Sequence, residues 1–193
     1  MKKFLKIFSD SANELKNVRC LAITGLFIAI SMLIEGLSID IGMAKVNFAF
    51  LAIASIGMLF GPTVGFIAGL LCDVVGYIAH PDGAFLPVYI LVAGLQGLIY
   101  GVCLYHKTGK MNQKMLMIRA TIARLIDVIF VNLIINTALN MHYGFIPAVP
   151  FSVAVSTRAI KNLIELVADL PLLWILLPIV LVTYQKVFRR KIA

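Results

Sequence analysis

Long apolar runs dominate this chain, separated by short stretches rich in glycine, proline or charge. Six runs stand out, over roughly 19–37, 44–60, 62–79, 86–106, 116–140 and 157–185. They are too long for strands and lack the strict alternation of a barrel wall. The pattern therefore predicts an all-α integral membrane protein with six transmembrane helices. The second run is the shortest, its clean apolar part reaching only from Asn47 to Phe60. Ahead of the first, "MKKFLKIFSDSANELKN" sets Phe4, Leu5, Ile7, Phe8, Ala12 and Leu15 against lysines. That segment, 1–17, is expected to be an amphipathic helix on the inner membrane surface. The whole of 1–193 reads as one domain, with no cleavable signal peptide.

Composition agrees: 61% of the 193 residues are hydrophobic and 13% charged, too little polar surface for a soluble domain. Charge placement adds an orientation. Lys2, Lys3, Lys6, Lys16 and Arg19 precede the first run. Lys107, Lys110, Lys114 and Arg119 separate the fourth and fifth, and Lys186, Arg189, Arg190 and Lys191 follow the sixth. Most of the 17 basic residues thus share one side, so both termini are expected in the cytoplasm. The net charge of +8 fits this bias and anionic lipid; no nucleic-acid partner is expected. Cys20, Cys72 and Cys103 imply packing rather than a disulfide framework. No hydrolase, metalloprotease or nucleotide-binding motif is present, so neither an enzyme nor a metal or cofactor site is expected.

Ionisable and polar residues inside the runs need a reason, because each is costly in hydrocarbon. In "FGPTVGFIAGLLCDVVGY" (60–77), Gly61, Gly65, Gly69, Asp73 and Tyr77 recur every four residues and form one helix stripe. The glycines would let a neighbouring helix approach closely. Asp73 would either accept hydrogen bonds from a ligand or bond a neighbouring helix. The fifth run carries Asn132, Asn136 and Asn140 at the same spacing, with Asn132 read as interhelical glue. Asn136 and Asn140 are candidates for ligand contact, and Arg124 and Asp127 are expected to pair. In "TRAIKNLIELVAD" (157–169), Arg158, Lys161, Glu165 and Asp169 share a stripe. Two cations at a helix's positive end point to an anionic solute there, the alternative being a Lys161–Glu165 pair.

The loops "SIDIGMAK" (38–45), "HPDGAFLP" (80–87) and "MHYGFIPAVPF" (141–151) are poor in basic residues and suit a lid over a flat heterocycle. Phe85, Tyr89, His142 and Tyr143 are the stacking candidates, though aromatics also anchor helices at membrane interfaces. In the first run, Ala22, Gly25 and Ala29 form a small-residue face that would either pack inside the bundle or receive a partner helix.

The pieces "FAFLAIASIGMLFGPTVGFIAGLLCDVVGYIAHPDGAFLP", "GLQGLIYG", "NLIINTALN", "YGFIPAVP" and "RAIKNLIEL", in this order, cover the second to sixth runs. "GLFIAIS" in the first adds support. The chain here resembles the substrate-binding S components of energy-coupling factor (ECF) vitamin transporters, particularly the folate-specific branch. It departs from the folate-type pattern at "PVYI" (87–90), commonly Pro-Gly-Phe-Thr. "NTALNMHYG" (136–144) lacks the tryptophan that often comes soon after Asn-Thr, and Glu35 stands where a basic residue is usual. The resemblance implies a six-helix protein that captures a vitamin from outside and delivers it by toppling in the membrane. A transmembrane coupling subunit and two ABC-type ATPases would supply the energy. Folate would be cargo rather than cofactor, its pterin at Asp73 and its glutamate end at Arg158 or Lys161. The Ala22–Gly25–Ala29 face would dock on the coupling subunit. The alternatives are an S component for pantothenate or another pterin, or a stand-alone facilitator.

Overall fold

A computed structural model of the chain describes residues 2–35, 39–41, 44–46, 48–79, 81, 85–106, 112–147 and 149–188. Lys107, Lys110, Arg189, Arg190, Lys191 and parts of the 38–45 and 80–87 loops lie outside the described residues.

The helices are α1 (Lys2–Glu14), α2 (Val18–Glu35), α3 (Ala49–Phe60), α4 (Pro62–Ala79) and α5 (Pro87–Leu104). Then α6 (Gln113–Ile126), a π-helical segment (Asp127–Ile135) and α7 (Asn136–His142) form one 30-residue rod, and α8 runs from Phe151 to Phe188. α4, α5, the α6–α7 rod and α8 are each long and apolar enough to cross a membrane. A fifth candidate span is α1 with α2, which meet at an 85° bend. Large apolar side chains such as Leu26, Ile78, Leu91, Phe130 and Val167 point outward, as a lipid-facing surface requires.

Two expected boundaries move. The second run was expected to be helical from residue 44, but Ala44–Val46 (β2) pairs antiparallel with Ile39–Ile41 (β1), Ile39 opposite Val46. Branched Ile and Val in a short alternating stretch favour that pairing. α3 is therefore only 12 residues, about 18 Å long, and nine of them are buried. The sixth helix starts at Phe151 rather than 157, just after Pro147 and Pro150, which lack the N–H groups an earlier helix would need.

The glycine stripe sets the architecture. A Cβ on Gly65 or Gly69 would collide with backbone of α5 at Gly97 and Ala93, and one on Gly97 would strike Gly65. A Cβ on Gly57 of α3 would come within 2.8 Å of the Gly101 nitrogen. Backbone on backbone is how helices gain dispersion contact where lipid supplies no hydrophobic drive. Gly61 departs from the expected stripe. It sits at φ +90°, between α3 and α4, a conformation that glycine adopts without steric cost.

That break is clamped by α1. The buried Ser11 hydroxyl donates to the Phe60 carbonyl (2.7 Å) and accepts from the Thr63 and Val64 amides (3.0 and 3.2 Å). It thus serves the last carbonyl of α3 and the first free amides of α4 from another helix, the job an N-cap residue does locally. Thr63 Oγ1 donates back to the Phe8 carbonyl (3.0 Å). The amphipathic segment is thereby bound to the bundle as well as suited to a membrane surface.

Candidate functional site

α4 and α5 are antiparallel. Gly65 opposes Gly97, and four residues further along α4 Gly69 opposes Ala93. Asp73 is one further step of four along α4, as Tyr89 is along α5. Asp73 is half-buried there, one turn before Tyr77, whose ring packs on Phe85 with centroids 4.9 Å apart.

Tyr89 in turn donates to Asn140 Oδ1 at 2.6 Å. The chain after Asn140 is held by a helix stop in which the Phe145 amide bonds the Asn140 carbonyl (2.8 Å) and the Gly144 amide the Met141 carbonyl (3.2 Å). Gly144, at φ +74°, permits that turn. The turn holds Tyr143 next to the site, its ring centroid 6.5 Å from Tyr89 and 5.1 Å from His142.

Arg158 of α8 is close enough for its charge to act on the Tyr89 phenol, and its Nε is buried without a hydrogen-bond partner among the described residues. Arg158 lies about two turns inside α8, not at its positive end as expected from sequence. The anion preference must therefore come from the guanidinium itself. Lys161 pairs with Glu165 at 3.6 Å, the alternative that the spacing allowed, and 44% of its side chain stays exposed.

The asparagines divide. Asn136 Nδ2 donates to Asn132 Oδ1 within the same rod (3.2 Å), and among the described residues Asn132 makes no side-chain bond to another helix. Asn136 Oδ1 is buried and unpartnered among the described residues. Thr137 Oγ1 caps the Asn132 carbonyl (3.4 Å), serving a backbone group in the π segment. The structure brings together Tyr89, Asn140, His142, Tyr143 and Arg158, with Asp73, Tyr77 and Phe85 on the α4 side. Sequence reading left Tyr77 off the site, although it is the next member of the Asp73 stripe.

Two other expected groups sit elsewhere. Arg124 pairs with Asp127 as expected (2.6 Å), but it also binds Asp169, which the stripe had placed with Arg158. Ala22 and Ala29 are exposed, and nothing lies within 4 Å of the place a Gly25 Cβ would take. That face is not packed inside the described part of the bundle. A lipid-side groove of about 460 Å³, walled by Pro171, Trp174 and Pro178, lies toward the far end of α8 from Arg158.

A bundle of apolar helices with polar groups gathered at one end is the build of a membrane solute-binding protein. Residues 15–181 match the family described as ECF-type riboflavin transporter, S component, and the chain belongs to that family. It is a multi-pass membrane protein of a transporter family.

Among curated proteins it is similar to the folate transporter FolT of Clostridium novyi, 38% identical over 52% of this chain and 55% of that one. FolT of Streptococcus mutans is 30% identical over 65% of this chain and 67% of its own length. The match thus spans little more than half the length of the first of these relatives. A solved structure described as FolT bound with folic acid superposes with a TM-score of 0.60 at 28% identity, covering 80% of this chain and 86% of that one.

Proposed function

We propose that the chain is the folate-binding S component of an ECF-type ABC vitamin importer. In this reading 1–193 is a single substrate-binding domain and α2, α3, α4, α5, the α6–α7 rod and α8 are its six spans. Both termini face the cytoplasm, in keeping with the lysine and arginine bias. The protein itself performs no chemistry and needs no cofactor. It takes its vitamin from outside and topples to deliver it, docking through Ala22, Gly25 and Ala29 on a transmembrane coupling subunit that two ABC-type ATPases drive.

The observation that carries the reading is the buried Arg158 Nε, unpartnered among the described residues, on a side chain whose charge acts on Tyr89. A buried guanidinium donor without an acceptor is costly, and a ligand carboxylate would satisfy it with a charge-assisted bond. Asp73 offers acceptors to a ring N–H and amino group at the other end of the same ligand. Tyr77, Phe85, Tyr89, His142 and Tyr143 supply aromatic surface for the middle, and Asn136 a free carbonyl. Lys161, 44% exposed and paired with Glu165 at 3.6 Å, adds positive charge toward a second carboxylate while keeping that pair. Folate has all of these parts: a pterin, an aromatic centre and a dicarboxylate tail.

The family's description favours a second reading, riboflavin. A flavin would also stack and could meet Asp73, but its neutral sugar-alcohol chain gives Arg158 no anion. Mass spectrometry of the small molecule that co-purifies with the solubilised protein separates the readings. Folate or a reduced folate supports the first; riboflavin, pantothenate or another vitamin replaces it while keeping the transporter class.

A further inference from the structure

Deep in the bundle, away from Arg158, Arg124 faces two carboxyls at once. Arg124 is 5% exposed, Asp127 0%, Asp169 2% and Tyr100 0%. Its guanidinium gives Asp169 Oδ2 two hydrogen bonds, from Nε at 3.1 Å and from Nη2. Asp127 Oδ2 receives one, from Nη1 at 2.6 Å, and the Tyr100 hydroxyl accepts from the same nitrogen at 3.3 Å. The Phe50 ring of α3 lies 4.4 Å from the guanidinium carbon and brings no formal charge. From α5, Gln96 brings no charge but hydrogen-bonds the Asp127 carboxyl. One turn along α8, Glu165 is matched by Lys161. Arg124 is thus the cation acting on both aspartates, and with both ionised the site would hold a surplus negative charge inside the membrane. Such a charge is strongly disfavoured without a partner.

We propose that this cluster is a proton-binding site, with one proton on Asp127 Oδ1 and Asp169 the ionised partner of Arg124. The asymmetry of the bonding places the proton. Asp169 takes two guanidinium bonds and Asp127 one. Asp127 Oδ1 is buried and receives no hydrogen bond among the described residues. An ionised Asp127 would set a second negative charge against a single guanidinium, whereas a carboxylic acid there leaves the cluster neutral. Asp127 also opens the π segment that leads to Asn136, so the neutral acid sits where the helix changes its pitch. The inference rests on this cluster alone and is independent of which vitamin the outer site takes.

Infrared spectroscopy of the full-length protein at neutral pH tests it, together with the melting temperatures of Asp127→Asn and Asp169→Asn. The wild type should show the carbonyl stretch of a buried, protonated carboxylic acid, and Asp127→Asn should remove it. Asparagine imitates the neutral acid, so Asp127→Asn should melt within a few degrees of wild type. Asp169→Asn takes away the charged partner and should melt far lower or fail to fold. A wild-type spectrum without that band, or a band untouched by Asp127→Asn, overturns the proposal. So does an Asp169→Asn variant that is the more stable of the two. If Asp169→Asn yields no folded protein, the infrared comparison still decides.

Discussion

Tyr89 donates its phenolic proton to Asn140 Oδ1 across 2.6 Å, tying the start of α5 to the end of the α6–α7 rod. The bond joins α5 to a rod that carries Asn136 and His142, so it positions the site as much as it lines it. Tyr89→Phe removes the donor and leaves the ring. A hydrogen bond of this kind contributes about 1 kcal/mol, so folate affinity should fall about five-fold. Combining Tyr89→Phe with Asn140→Ala should cost less than the two effects added together, because they share one bond. Calorimetric titration of the singles and the double checks this.

The glycine seam makes a contrast between two exposed-looking sequence glycines. Gly97→Ala puts a methyl against the Gly65 backbone, which cannot yield without parting α4 from α5. Gly25→Ala meets open space. Thermal unfolding in detergent should show a drop of many degrees, or no folded protein, for the first and almost no change for the second.

Ser11→Ala strips the hydroxyl that serves three backbone groups at the α3–α4 break. Loss of such a cap costs about 1–2 kcal/mol, so the melting temperature should fall by about 2–8 °C. Hydrogen exchange at Thr63 and Val64 should quicken, while ligand affinity stays nearly unchanged because the break lies at the other end of α4 from Asp73.

The small-residue face of α2 should matter to transport alone. Gly25→Leu or Ala29→Trp should leave vitamin binding by the isolated protein intact. Uptake by cells and co-purification with the coupling subunit and ATPases should be lost. Binding and uptake falling together would return this face to the protein's own folding.

Much of this was legible in the chain. α4 follows its expected bounds because Pro62 and the glycines mark its start and seam. The pairing of Arg124 with Asp127 followed from an i, i+3 spacing. What sequence could not carry was tertiary. Nothing local says that Asp169 turns to Arg124 rather than to the Arg158 stripe, or that Ser11 caps helices some 50 residues away. Asn132 and Asn136, four residues apart, bond each other within one rod. Arg158 looked like a helix-start cation because the sixth run was read as opening at Thr157. The helix in fact begins at Phe151, directly after Pro150.

Isothermal titration calorimetry of the detergent-solubilised protein, wild type and Asp73→Asn, with folate and riboflavin in separate titrations, tests the central claim most directly. The wild type should bind one folate per chain without ATP. Asp73→Asn should weaken that binding by about ten-fold or more, the scale of a charge-assisted hydrogen bond, with an unchanged melting temperature. No heat with folate or a reduced folate, alongside clear binding of riboflavin, would contradict the folate assignment. Unchanged affinity in an unstable Asp73→Asn would remove Asp73 from the site.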